Sequence, residues 1–267
     1  MTELETSAVV FLCLLAATGL GVFVRPLLPE EHKAHETVQL LKLVVGMLVT
    51  FAALVLGLLT ASSKTLFDTT TADIRAYAAA LIQLDDSLRE YGPDADAPRR
   101  ILRAYTAAAI ASTWVREPPP PGNDYQKTLV PGSGTGKLDS SALGAMLERA
   151  QRYTRELQPP DPFHQKLAEE ALDRFDQLIQ QRWKIVEEAR GSASSPFDRI
   201  LVFWLLIIFL CFGLIAPRNA LALVTITLGA LSIASTVLVI LDLNTPFAGS
   251  ILVPSQSMRD ALAHLSR

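Results

Sequence analysis

Four uncharged apolar runs constrain this chain more than any other feature. Residues 8–24 reach Arg25-Pro26 without a charge, and residues 43–61 (LVVGMLVTFAALVLGLLTA) and 200–216 (ILVFWLLIIFLCFGLIA) hold none. Residues 220–241 (ALALVTITLGALSIASTVLVIL) end only at Asp242. A helix needs about 20 apolar residues to cross a bilayer core, where it must satisfy its own backbone groups. The chain is therefore expected to be an all-α integral membrane protein with four transmembrane helices. The residues ahead of the first run, MTELETS, are acidic where a cleaved signal needs basic ones, so that run is expected to remain as a span. Pro217, Arg218 and Asn219 leave barely a turn between the last two spans, which implies a tight antiparallel hairpin.

Composition fits this placement. Half of the 267 residues are apolar, 19% are charged and the formal net charge is -3. Phosphate binding needs a concentrated basic surface, so nucleic acid is not an expected partner. Cys13 and Cys211 both lie inside apolar runs, as small hydrophobes rather than as a disulfide pair or metal ligands. Seven Lys and Arg near the span ends (Lys64, Arg75, Arg182, Lys184, Arg190, Arg199 and Arg259) lie on the side of the termini and the large insert. Four (Arg25, Lys33, Lys42 and Arg218) lie on the other, so the positive-inside rule favours cytoplasmic termini in the cell membrane.

The expected organisation is a first pair of membrane helices (1–61), a helical water-exposed insert (62–198), a membrane hairpin (199–242) and a tail (243–267). In the insert, Ile74, Tyr77, Leu81, Leu84, Leu88 and Tyr91 recur at helical spacing until Gly92-Pro93 stops them. A second helix is expected from Pro98 to Arg116, ended by Pro118 to Pro121. GNDYQKTLVPGSGTGK then has too few apolar residues to pack and reads as an exposed loop. Asp139 or Ser140 can cap the helix after it. A last helix from Pro162 to Arg190 is expected to turn Phe163, Leu167, Phe175, Leu178, Ile179, Trp183 and Val186 mainly to one side. Ser195-Pro196-Phe197-Asp198 has the residue order of a helix start: cap, proline, then a carboxylate at the positive end.

No catalytic constellation emerges. GSGTGK at 132–137 lacks the Walker pattern, with Pro131 where the first glycine belongs and Leu138 where the magnesium-binding hydroxyl belongs. His32 and His35, beside Glu31 and Glu36, are too few for a metal site, and His164 and His264 have no evident partners. Neither an enzyme nor a bound cofactor is expected.

The second span is more informative. Gly46, Thr50, Ala53, Gly57, Thr60 and Lys64 follow each other at steps of three and four, so they share one helix face. Close packing against another helix and lining of a lumen are the competing explanations. Lys64 would stand at one mouth of such a lumen, or would snorkel to the interface. Thr225, Gly229, Ser232 and Thr236 form a weaker version of this face in the fourth span, closed by Asp242. That carboxylate is expected to pair with a basic group, to cap local backbone or to act in ion movement.

The order of elements, the segment LGLLTASSKTLFD and the tail LDLNTPFAGSILVPSQSMRDAL resemble the bestrophin-like domain family of bacterial membrane proteins. Asp242, Pro246, Phe247 and Gly249 match the family's tail pattern. The resemblance implies the plan of bestrophins: pentameric anion channels with four membrane helices, a helical cytoplasmic region and a pore lined by the second membrane helix. The expected partners are then the lipid bilayer, further copies of the chain, and chloride or other small ions. Two features of bestrophins lack a match. Asp242 stands alone until Asp260, so a calcium clasp is unsupported, and only Phe51 and Phe67 are available for an aromatic neck. The expected function is an anion or small-ion channel, and the alternative is a non-conducting scaffold or sensor whose insert binds a partner.

Overall fold

A computed structural model describes residues 3–27, 29, 35–121, 140–191, 196–217 and 219–267. The glycine-rich run 132–137, Pro131, Leu138, Glu31, His32, Lys33, Asp139, Ser195 and Arg218 lie outside those residues. The helices are α1 (Glu3–Val24), α2 (His35–Tyr91), α3 (Asp96–Thr113), α4 (Ser141–Arg155), α5 (Pro162–Gly191), α6 (Pro196–Ile215), α7 (Ala220–Leu243) and α8 (Gln256–Leu265). No strand occurs among the described residues. α2 carries the second apolar run and the first stripe of the insert on one uninterrupted helix of 57 residues. No proline interrupts it, and its hydroxyls fold back on the helix: Thr60 Oγ1 donates to Leu56 O at 2.8 Å and Thr65 Oγ1 to Ala61 O at 2.9 Å. The helix stops where expected, at Gly92, whose φ of 105° is open to glycine and strained for other residues.

The chain divides into two compact units, Met1–Phe67 with Ser192–Ile251, and Asp68–Gly191 with Leu252–Arg267. In the first unit, Val10 and Leu14 of α1, Val45 and Ala52 of α2, Leu205 and Phe209 of α6 and Ala230 of α7 share one core. α1 meets α6 backbone to backbone. A Cβ on Gly21 would collide with Leu210 O and Gly213 Cα, and one on Gly213 with Thr18 O and Gly21 Cα. Small residues are what let apolar helices approach this closely. Arg25 ends α1 by donating from Nη1 to Ala216 O at 2.5 Å, so α1 and α6 run parallel. α7 runs against them, with Ser7 Oγ donating to Ala234 O at 2.7 Å. Asn219 caps α7, its Oδ1 accepting from Ala222 N at 2.8 Å. α1, α2 and α7 are long and apolar enough to cross a membrane, while the apolar part of α6, Ile200–Ile215, is shorter. Outward-facing positions are apolar too: Leu54 and Leu58 are each 69% exposed and Leu221 is 75% exposed.

The second unit packs around a buried apolar interior. All six stripe residues of α2, from Ile74 to Tyr91, are buried. α3 packs against α4 and α8, and α4 against α5. Tyr77 and Tyr105 hydrogen-bond through their hydroxyls at 2.5 Å in the core. Burial pushes the Tyr105 hydroxyl up to about 12 and raises that of Tyr77 as well. Asp85 is fully buried and answered by two guanidiniums, Arg99 Nε at 2.9 Å and Arg89 Nη2 at 3.0 Å. Trp114 Nε1 donates to Val253 O at 2.7 Å, and Met258, Ala261 and Leu265 bury one side of α8, a helix the sequence reading did not anticipate.

α5 differs in detail from expectation. Leu167, Phe175, Leu178 and Val186 are buried, but Phe163 and Trp183 are more than half exposed. Arg182 takes the inward position instead, 3% exposed, donating from Nη2 to Ser140 O at 3.0 Å. Its guanidinium lies 5.3 Å from the Trp183 ring centroid, so the indole shields the cation from outside. His164 and His264 also have partners: Asp161 Oδ2 lies 2.8 Å from Nδ1 of the former, and Asp86 Oδ1 2.9 Å from Nε2 of the latter. Asp161 is only three residues from its histidine, whereas Asp86 lies 178 residues from His264 and is not visible from the chain alone.

Two stability tests follow from these contacts. Gly213→Leu should lower the thermal midpoint of detergent-purified protein, at a cost of about 1–3 kcal/mol for overpacking. Gly19→Leu, whose Cβ meets nothing within 4 Å, should not. In the second unit, Asp73 Oδ2 and Glu188 Oε2 are buried without a donor. Burial, then the neighbouring Asp73 carboxylate, raise the Glu188 carboxyl above its ordinary range against the pull of Lys184. A raised acid contributes most below the ordinary glutamate value and loses that contribution as pH rises through its folded value. Thermal midpoints measured from about pH 4 to neutrality should therefore fall less steeply in Glu188→Gln than in the parent.

Candidate functional site

The membrane part of α2 has three kinds of side. Val45 and Ala52 enter the core of the unit, with Leu41, Leu48, Val55, Leu56 and Leu59 partly buried against it. Leu43, Met47, Phe51, Leu54 and Leu58 are large, apolar and exposed. Gly46, Thr50, Ala53 and Gly57 make up the remaining side, about a third of the way round the helix from the core side. All four are exposed, Thr60 is half-buried and Lys64 is exposed. A Cβ added to Gly46 or Gly57 would meet nothing within 4 Å. Packing against this chain's own helices therefore does not account for the small residues on this side.

The threonines of that side are already satisfied. Thr50 Oγ1 donates to Gly46 O at 2.9 Å, as Thr60 does to Leu56 O. Each hydroxyl thus spends its proton on its own helix and turns a lone pair and a methyl outward. The result is a smooth, weakly polar surface with no free donor in its middle. α7 repeats the pattern: Thr225 Oγ1 donates to Leu221 O at 2.9 Å and Thr236 Oγ1 to Ser232 O at 3.0 Å, while Gly229 is exposed with open space above it. Phe51 is 53% exposed and lies on the large apolar side, away from the small residues.

The tail residues form a separate, local device. Asp242 is 5% exposed, and its carboxylate accepts from Ser250 N at 2.5 Å and from Ile251 N at 3.0 Å. Between these points the chain makes a turn, with Thr245 N donating to Asp242 O at 3.2 Å and Gly249 N to Thr245 O at 3.0 Å. Pro246 is buried in it. A Cβ at Gly249 would run into Asp242 Oδ1, so the carboxylate can fold over the turn only because that residue is glycine. Thr245 Oγ1 also lies 3.3 Å from Glu3 Oε1 at the start of α1. Of the roles open to Asp242 from sequence, the geometry shows the backbone cap.

One acidic group among the described residues, Asp85, Asp86 and His264, brings potential metal-ligand atoms within 4.8 Å of one another. Asp85 is held by Arg89 and Arg99, and Asp86 by His264 with Arg89 at 3.9 Å, so the cluster is an ion-pair network with its charge already balanced.

A family model for the Bestrophin-like domain matches residues 12–258. Several solved structures share the fold. A bacterial bestrophin homolog from Klebsiella pneumoniae carrying one substitution aligns at 18% identity and a TM-score of 0.60, over 98% of this chain and 99% of that one. A second variant of the Klebsiella pneumoniae homolog aligns at 16% identity and a TM-score of 0.58, over 97% and 99%. A structure described only as a membrane protein aligns at 18% identity and 0.60, over 96% of each chain. No protein of curated function matches significantly.

For the tail, Asp242→Ala should leave two backbone donors without their acceptor, at a cost of about 1–3 kcal/mol. A fall in thermal midpoint is expected, with faster proteolysis near Ser250. Asp242→Asn, which keeps one acceptor oxygen, should fall between variant and parent.

Proposed function

This chain belongs to the bestrophin-like domain family, and from that premise we propose that it forms an oligomeric membrane channel for small anions. The observation that carries the reading is the small-residue side of α2, which is exposed and left uncovered by the chain's own helices. In the proposed assembly, five copies place Gly46, Thr50, Ala53, Gly57 and Thr60 around a common lumen, with Lys64 at one mouth. α1, the first part of α2, α6 and α7 are the four crossings, and the termini and the insert face the cytoplasm of a cell whose membrane holds the channel. Lysines at a mouth concentrate anions there, which supports chloride as the ion to test first.

The large apolar residues on the adjacent side of α2, Leu43, Met47, Leu54 and Leu58, support neighbouring copies or lipid as its cover. Asp242, Pro246, Phe247 and Gly249 have a supporting role in this proposal. They fix the turn that follows α7 and take no part in conduction.

Halide flux into liposomes tests the reading. Parent protein should pass chloride above protein-free vesicles, and Thr50→Trp should cut that flux by about tenfold or more while the oligomer stays intact on size-exclusion chromatography. If the tryptophan splits the oligomer instead, the small side packs helices, and the scaffold reading replaces the channel. A folded parent that is monomeric after reconstitution would also sink the proposal.

A further inference from the structure

The second unit contains an arginine-lined cleft that conduction does not use. Its volume is about 950 Å3, and it is lined by one side each of α3, α4 and α8, with Pro120 and Pro121 beyond the end of α3. α3 contributes Arg100 and Arg103, α4 Arg149, and α8 Arg259. No aspartate or glutamate lines it among the described residues. Arg259 is already matched, its Nη2 lying 2.9 Å from Glu117 Oε2. Arg149 has an aromatic neighbour, its guanidinium 5.7 Å from the Tyr153 ring centroid. Arg100 and Arg103 are exposed and have no acidic partner among the described residues. Three guanidiniums without a counter-charge among the described residues thus border one concavity.

The walls between them are apolar. Ile101, Met146 and Leu262 come from the three helices, and Ala104 and Ala107 keep the α3 side shallow. A basic patch on a convex surface can be served by mobile counter-ions. A cleft with apolar walls excludes part of that solvent and rewards an occupant that carries both surfaces. Guanidinium forks match carboxylate and phosphate oxygens in pairs, and the half-exposed Tyr153 ring offers a flat surface beside Arg149. We propose that the cleft binds a small organic dianion with an apolar body, a phosphate monoester or a dicarboxylate. The charged end meets Arg100, Arg103 and Arg149, and the body lies against Ile101, Met146 and Leu262. This assignment does not depend on conduction.

Isothermal titration of phenyl phosphate into the full-length protein in a neutral detergent tests it, at low ionic strength where such contacts are least screened. Saturable binding of one molecule per chain is expected, with inorganic phosphate and phenol each weaker by about tenfold or more, since each lacks one half of the match. Arg103→Ala and Arg149→Ala should each weaken binding by a similar factor. Ala104→Trp, which fills the wall without altering charge, should do the same, whereas Arg155→Ala, on α4 but outside the cleft, should change nothing. An absence of saturation, equal affinity for inorganic phosphate, or indifference to all three cleft variants would overturn the proposal. Lipid headgroups share this chemistry with soluble anions. Titration in nanodiscs separates the two: displacement by phosphatidic acid, a phosphate monoester, but not by phosphatidylcholine identifies a lipid source, and undiminished binding identifies a soluble one.

Discussion

In the first unit, the outward sides of the helices are as apolar as the inward ones. Leu54, Leu58 and Leu221 are exposed while Leu14, Leu205 and Phe209 are buried. Between lipid and protein interior, burial of such side chains gains little, so hydrophobicity cannot choose which side of a helix packs. The choice falls to close approach and to a few polar contacts. Gly21 and Gly213 allow α1 and α6 to touch along their backbones. Ser7 and Arg25 then satisfy carbonyls of α7 and of the segment after α6, at Ala234 and Ala216. Register in this bundle thus rests on two glycines and a handful of donors.

The second unit solves a different problem. Around its stripe of buried Leu and Tyr it encloses charge: Asp85 between two arginines and Arg182 under Trp183. Such groups add little net stability, because desolvation consumes most of the Coulombic gain. They are costly to unpair, however. Removing Arg99 would leave the buried Asp85 carboxylate with only Arg89 of its own helix, and this penalty disfavours any packing that separates α2 from the start of α3. Arg182 is tied to Ser140 O, just ahead of α4, rather than to a carboxylate, and its Nε lacks a partner. The neighbouring Tyr77–Tyr105 pair stays protonated at every physiological pH, so it supplies dipoles rather than a counter-ion.

What could be seen in the chain divides along the same line. The apolar runs marked α1, α2, α6 and α7, because length without charge is a property of each segment alone. Gly92-Pro93 marked the end of α2 for the same reason, and the Ile74–Tyr91 stripe marked its buried side. Contacts between distant segments were not visible. Nothing in sequence couples Gly21 to Gly213, or His264 to Asp86. Helical spacing on α5 favoured Trp183 as the inward residue because hydrophobicity was the only criterion, yet the site takes a cation that finds a carbonyl at Ser140. α8 escaped because ten residues with three buried positions give too short a period to stand out. On α2 the small-residue side was legible, but whether other helices of the chain cover it was not. The open space above Gly46 and Gly57 answers that for a single copy.

The hydrogen bonds of that side bear on how a lumen built from it would treat ions. A threonine hydroxyl that donates to its own helix cannot also donate to a passing anion, and Thr50 and Thr60 are both committed in this way. What remains is methyl, glycine backbone and oxygen lone pair, a surface that binds neither sign of charge strongly. Conduction tolerates such a surface, since an ion that is held firmly does not leave. Preference for anions would then have to arise at the ends of the path, where Lys64 lies, and not along its wall. A lumen of this kind would be weakly selective among halides, because no donor array is present to distinguish them by size.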